Sequence, residues 1–458
     1  MKKQTRFLSV LTAAAFMTIL PNAAALSAIP VVYGSEFGWT EEDGLRVYYD
    51  EDGYLTTDSW RKDGEDWYYL GEDGQITKNE KIDDYYVGSD GKMVKNEWIR
   101  LRNEEELDSP EAPAAHWYYF GKDGKASVSK WMRLNEKWYY FDGSGHMLTG
   151  KTVIDGSTYY LGEETDGAMK TGWLRLEDNA SDPGASESWY YFNPDGKMVE
   201  TQYDKKIDGN YYTFIDGKMQ TGWVKMPELN REEAIPAATG SNAIDMAATS
   251  PSVSDYQYYG DAKDGKRAEG WRIIEGIPSI HDTDETATFY FRGGRAIHSA
   301  VKGNSLFTIN SKKYAFNELG EMQTGRTVIH LENGEIANFC FGEDGAMKTG
   351  KQALFNEDTG ETENWYFYSD GERKGQGFHG IRDNVLYVYG KRSEASSGLR
   401  YAPAELNGTT YLVNTTGMVQ KATSSSTSSE KPELGRGFKD FKDADGKIWV
   451  VDTNGIVR

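Results

Sequence analysis

Lys130 to Thr152, KWMRLNEKWYYFDGSGHMLTGKT, is the stretch whose reading decides the fold. Trp131 and Trp138 flank Asn135-Glu136, the run Trp138-Tyr139-Tyr140-Phe141 follows, and Gly143 to Gly145 then turns the chain toward Met147 and Gly150. Bulky aromatic residues suit a pleated, half-buried surface, and the Asn-Glu and Gly-rich segments that bound them supply turns. The stretch reads as one β-hairpin and its exit.

The same phrase recurs with a period of about twenty residues. Well-formed copies run through Val47-Tyr48-Tyr49, Trp67 to Leu70, Tyr85-Tyr86-Val87, Trp117 to Phe120, Tyr159-Tyr160-Leu161, Trp189 to Phe192 and Tyr211-Tyr212, each followed by a turn glycine. Looser copies follow at Phe289 to Phe291, Tyr314 to Phe316, Phe339 to Phe341, Trp365 to Tyr368, Val385 to Tyr389 and Tyr411 to Val413. A half-copy, Ile448 to Val451, comes last. Insertions fall at one phase, between the first strand's Trp and the second strand's aromatic run. They occupy Asn103 to Ala115, Glu177 to Ser188 and Pro227 to Asp255. Insertions at one phase of a stacked repeat emerge on one side, so a fringe of mobile acidic loops is expected. An isolated hairpin is marginal in water, and stacking lets each aromatic face cover the next. The expected fold is therefore all-β, a solenoid of stacked hairpins. Its expected parts are a leader at 1–28, hairpin repeats at 37–226, a low-complexity insertion at 227–255, degenerate repeats at 256–420, a Ser/Thr-rich flexible linker at 421–437 and the half-repeat at 438–458.

The 458 residues include 13 Trp, 30 Tyr and 50 Gly, so aromatics rather than Leu, Ile and Val runs must form the core. A formal charge of -21 argues against nucleic acid or anionic lipid and for cationic or neutral ligands. Met1 to Arg6 is basic, Phe7 to Leu20 apolar and Pro21 to Ala28 small and polar, which is the form of a secretory signal peptide. The apolar part is too short to span a membrane comfortably, and no later stretch approaches the required length. An exported protein without a membrane span is expected. Cys340, the single cysteine, has no intramolecular partner and is expected to be an inert buried thiol.

In Trp67-Tyr68-Tyr69-Leu70, strand alternation puts Trp67 and Tyr69 on one face and Tyr68 and Leu70 on the other. Most such rings are core. Those left at the seam between hairpins, joined by a Trp from the partner strand, can form a three-ring cage. Electronegative ring faces around a gap suit a quaternary ammonium, each ring contributing roughly 0.5 to 2 kcal/mol. One cage should then bind at about millimolar strength, and repetition adds avidity.

Gly172-Trp173, Gly222-Trp223 and Gly270-Trp271, the Trp-Tyr-Tyr-(Leu/Phe) runs beginning at Trp67, Trp117, Trp138 and Trp189, and the glycine phrases at Gly145, Gly217, Gly320 and Gly345 carry a resemblance. The chain resembles the choline-binding and cell-wall-binding repeats of Gram-positive surface proteins, which are related to glucan-binding repeats and to the receptor-binding repeats of clostridial toxins. The resemblance implies cages made of two aromatics from one hairpin and a third from the next, often with a Met nearby. Carried onto this sequence, it gives Trp60, Trp67 and Tyr86, then Trp131, Trp138 and Tyr160. It also gives Trp98, Trp117 and Tyr140, and Trp173, Trp189 and Tyr212, which carry long insertions. The second Tyr of each pair is chosen by strand alternation. Tyr85, Tyr159 and Tyr211 lack a preceding Trp, and beyond Trp271 no hairpin keeps both, so cages are expected in the N-terminal half.

Gly145 to Thr152 fits the phosphate-loop pattern G-x-x-x-x-G-K-[ST], but an aromatic hairpin precedes it and a Tyr-rich strand follows. The six histidines lack metal-ligand spacing, and Asp440 to Gly446 lacks the spacing and distal Glu of a calcium loop. Asp-Gly pairs are explained by turn chemistry. No catalytic constellation is expected, and Gly375 to Leu406, the one irregular segment, is too small to be a catalytic domain. The expected function is non-enzymatic: a secreted protein holding choline-bearing teichoic acid or another wall polymer, without cofactor. No LPxTG tail is present, so attachment is expected to be noncovalent. The alternative is an adhesin whose rings stack on an α-glucan or host glycan.

Overall fold

The computed structural model describes residues 37–102, 115–178, 186–227, 252–261, 263–281 and 285–458. The candidate leader at 1–28 and most of the three insertions lie outside the described residues.

The organising stretch forms the expected hairpin. Strands Lys130–Leu134 and Lys137–Phe141 pair antiparallel, with Trp131 opposite Tyr140 and Trp138 opposite Arg133. Between them Asn135 and Glu136 hold φ of 48° and 68°. Two consecutive positive φ values make the two-residue turn whose twist matches that of the strands. After Phe141 the Asp142 carboxylate accepts from the amides of Ser144 and His146, both at 2.9 Å, and Phe141 bridges to Met147. Asp73, Asp90 and Asp123 make the same local turn in other copies, accepting from the amides of Gln75, Lys92 and Lys125. This is the Asx chemistry that makes Asp and Gly recur at each exit.

The described chain divides into two compact units, with the division between Lys170 and Thr171. Inside each, backbone hydrogen bonds tie successive hairpins together. In the first unit the amides of Met93, Met147 and Met169 donate to the carbonyls of Trp67, Trp117 and Trp138, each at 2.8 Å. In the second, Arg267, Met322 and Gly377 donate to Tyr211, Thr288 and Asn338, again at 2.8 Å. In most copies the last residue of the aromatic run is wholly buried. Leu70, Val87, Phe120, Phe141 and Leu161 form this column in the first unit, and Phe192, Phe214, Tyr259, Phe291 and Phe316 are among those in the second. Each unit is thus a solenoid of stacked hairpins, all-β as the repeats imply.

Three features depart from the sequence reading. Residues 350–392 contain a five-stranded sheet rather than separate two-stranded hairpins. The final copy is a complete hairpin, Phe438–Lys442 paired with Ile448–Asp452; its first strand has no Trp but supplies Phe441 to the core. The Ser/Thr-rich segment at 421–437 is fastened to that hairpin. Asp440 accepts from the Ser428 hydroxyl and from the amides of Ser429 and Glu430, and Thr427 bridges Arg436. Polar composition alone does not reveal a carboxylate placed to satisfy it. Among the described residues helical structure is confined to the short turns Val253–Asp255 and Pro432–Leu434, and no helix is long and apolar enough to cross a membrane.

Candidate functional site

In each well-formed hairpin the first-strand Trp lies opposite the third residue of the aromatic run. The ring pairs are Trp60 with Tyr69, Trp98 with Tyr119, Trp131 with Tyr140 and Trp173 with Tyr191, at 5.3, 5.3, 5.2 and 5.1 Å between centroids. Each Trp also meets one ring from the following hairpin. Trp60 meets Tyr85 at 5.3 Å, Trp98 meets Tyr139 at 5.0 Å, Trp131 meets Tyr159 at 4.9 Å and Trp173 meets Tyr212 at 4.8 Å. The crossings are edge-on or tilted, the geometry that aromatic quadrupoles favour.

Three of the expected seam tyrosines are therefore displaced by one residue. Tyr86 is buried and packs on Phe120 at 5.9 Å. Tyr140 lies against Trp131 of its own hairpin. Tyr160 donates its hydroxyl to Glu163, and burial, reinforced by that carboxylate, pushes its pKa up to about 12. The frame is set by the buried residue that ends the run, and the seam ring lies two positions before it. Tyr85 precedes Val87, Tyr139 precedes Phe141 and Tyr159 precedes Leu161 by two. Tyr212 is at the seam as expected because Thr213 separates it from Phe214, shifting that Tyr pair by one.

A methionine, unassigned from sequence, supplies a fourth wall. Trp60, Trp67, Tyr85 and Met93 line a cleft of about 430 Å³, with Lys95, Lys122 and Asp123 also lining it. Trp98, Trp117, Tyr139 and Met147 line one of about 230 Å³, with Thr165 and Asp166. Trp98 and Trp117 stand nearly perpendicular, 85° at 6.4 Å, and Trp173 and Trp189 repeat that angle and distance. Trp173 and Met219 pack on the cluster that contains Tyr212. In the 130–141 hairpin Trp138 is 42% exposed, and its carbonyl holds the Met169 amide. The phrase Gly-x-Met was the available signal, since its Met is the residue tied by the inter-hairpin hydrogen bond.

The rim of the Trp98 cleft carries the carboxylate of Asp166, ion-paired with Lys170 and Lys137. Its hydrogen bond with Lys170, together with the charges of Lys170 and Lys137, holds the Asp166 carboxyl below the usual Asp range. Aromatic faces, a polarizable sulfur and a nearby carboxylate make a site for a weakly hydrated organic cation.

Beyond Trp223 the arrangement thins. Trp223 meets Phe289 at 5.3 Å and is covered by the His281 ring at 6.4 Å. Trp271 keeps Tyr314 at 4.8 Å and Met322, with Thr288 at the place of the second Trp. Gly145 to Thr152 leads into strand Lys151–Ile154, and the Gly150 amide is bonded to the Gly162 carbonyl, so no helix N-terminus follows the glycines. Asp443 accepts from the amides of Arg400, Tyr401 and Ala444 and so caps backbone. Cys340 is buried, and burial pushes its thiol pKa up.

Parts of the chain are similar to known proteins. The choline-binding repeat family matches residues 128–173, and the putative cell wall binding repeat matches 58–76, 116–126 and 185–198. Glucosyltransferase-S of Streptococcus mutans serotype c is 28% identical over 240 residues, covering 48% of this chain and 15% of that protein. The chain thus spans a small part of the length of this curated relative. Among solved structures, the modular autolysin LytC of Streptococcus pneumoniae shares 23% identity over 62% of this chain and 52% of its own, with a TM-score of 0.37. Choline-binding protein F of the same organism shares 19% over 72% and 98%, with a TM-score of 0.38. Over the matched segments, the hairpins around Trp60, Trp117, Trp131 and Trp189 are thus similar to choline-binding and cell-wall-binding repeats.

Proposed function

We propose that this chain is a binding module that holds choline, or a similar quaternary ammonium group of a wall polymer such as teichoic acid, in its aromatic cages. It performs this role without a catalytic step, as an exported protein attached noncovalently to the cell surface. The observation that carries the reading is the constellation of Trp98, Trp117, Tyr139 and Met147 around an open cleft beside Asp166. The same four residue types recur at Trp60, Trp67, Tyr85 and Met93, at Trp131, Trp138, Tyr159 and Met169, and at Trp173, Trp189, Tyr212 and Met219. Each cage alone binds at about millimolar strength, and a polymer engaging several gains avidity.

The likeness to glucosyltransferase-S supports a second reading, in which the same ring faces stack on the sugars of a glucan. Retention of the purified chain on a choline-bearing resin, with elution by free choline, separates the two. A choline binder is retained and released. A folded chain that flows through, and is instead held by immobilised glucan, sinks the first reading.

A further inference from the structure

At two further seams an aromatic face is met by a cation of the chain itself. In the first hairpin, strands Gly38–Glu42 and Leu45–Tyr49 pair Trp39 with Tyr48, as Trp60 pairs with Tyr69. Tyr68 of the next hairpin reaches Trp39 at 5.5 Å, matching the contact of Tyr85 with Trp60. The place that Trp67 takes in its own hairpin, two residues before the paired Tyr, is held here by Arg46. Its guanidinium carbon lies 4.7 Å from the Trp39 ring and 5.6 Å from the Tyr68 ring, and its charge is paired with Asp63.

The second case replaces a different wall. Arg267 is the residue whose amide donates to Tyr211, the position that Met93 holds over Trp67. Its guanidinium carbon stands 4.0 Å over the Tyr211 ring, and a guanidinium nitrogen pairs with Asp204 at 3.0 Å. In both places an arginine guanidinium stands against aromatic rings with a carboxylate beside it: two rings at Arg46, the single Tyr211 ring at Arg267.

We propose that the Trp39–Tyr68 seam is a quaternary-ammonium cage occupied by the chain's own Arg46, so that this arginine decides whether the cage is open to ligand; Arg267 makes the same kind of contact with one ring. The proposal rests on the reading of the open cages as ammonium sites. Arg46 is the better test, because both partner rings are in place and only the plug must be exchanged for a ring. Asp63, released from its partner, would remain as a counter-charge.

The experiment counts choline and tetramethylammonium sites per chain by equilibrium dialysis on the full protein, Arg46→Trp and Arg46→Ala, each checked for native circular dichroism. The expected result is one site more in Arg46→Trp than in the wild type. Arg46→Ala keeps only two rings, and its extra site should be about tenfold weaker; it carries the test if Arg46→Trp does not fold. A wild type that binds, with no gain in either variant, overturns the plug while leaving the proposed function intact. A wild type that does not bind, with a new site in Arg46→Trp, supports the plug and removes the reading of the open cages. Absence of binding in all three chains overturns both.

Discussion

Gly124 and Met93 belong to the exits of different hairpins, yet a Cβ placed on Gly124 would stand 2.4 Å from the Met93 sulfur. Gly167 bears the same relation to Met147, at 2.2 Å. Both glycines also hold positive φ, 81° and 60°. The turn glycine therefore does two things: it makes the exit and lets that exit seat on the methionine wall of the preceding cage.

Gly124→Ala should in consequence lower stability by more than about 1 kcal/mol, since the added methyl meets both an unfavourable φ and the Met93 side chain. It should also weaken the cage at Trp60, because the added methyl would press on its Met93 and Tyr85 walls. Denaturant unfolding and a choline titration check the two effects together.

Tyr85 and Tyr86 should behave oppositely. Tyr86→Ala removes a buried ring from the cluster with Tyr118 and Phe120 and should cost about 3 kcal/mol or more. Tyr85→Ala removes a seam ring and should leave unfolding nearly unchanged while abolishing ligand response at the Trp60 cage. Unfolding curves with Trp fluorescence on both variants distinguish the roles.

Asp166 predicts an acid limb. Lys170 and Lys137 hold its carboxyl below its unfolded value, so the stabilisation is present above the usual Asp range and is lost as pH falls through the lower, folded value. Choline affinity at the Trp98 cage should fall over the same acid window, as the negative charge at its rim is neutralised. Asp166→Asn should weaken that cage by about two- to threefold at neutral pH and remove the acid limb. Titrations of both chains from neutral to acid pH provide the check.

Thr288→Trp should build a cage where three walls already stand. Trp271, Tyr314 and Met322 are in place, and the Met322 amide already binds the Thr288 carbonyl at 2.8 Å. One added choline site, with unfolding behaviour preserved, is the expected result of a site count.

Much of this architecture was legible in residues 130–152. Asn135-Glu136 marks the turn, the Trp138 run marks the half-buried strand, and Gly145 marks the exit. The seam tyrosine was not legible from the Tyr pair alone. Period-two alternation says which residues share a face, but not which face meets the next hairpin. That choice follows from the buried end of each run, such as Val87, Phe141 or Phe214, whose burial is a tertiary fact. Likewise Arg46 and Arg267 look like ordinary surface charges in sequence, because the Tyr68 and Tyr211 rings they reach come from neighbouring hairpins. The polarity of 421–437 similarly hides the fastening by Asp440.

The central claim, that seam cages of two Trp, one Tyr and one Met hold quaternary ammonium groups, is tested most directly by counting bound choline on the intact chain at saturation. The account predicts four sites, reduced by one in each of Tyr85→Ala, Tyr139→Ala, Tyr159→Ala and Tyr212→Ala. A folded chain that binds no choline, or one whose count is indifferent to all four substitutions, would contradict it.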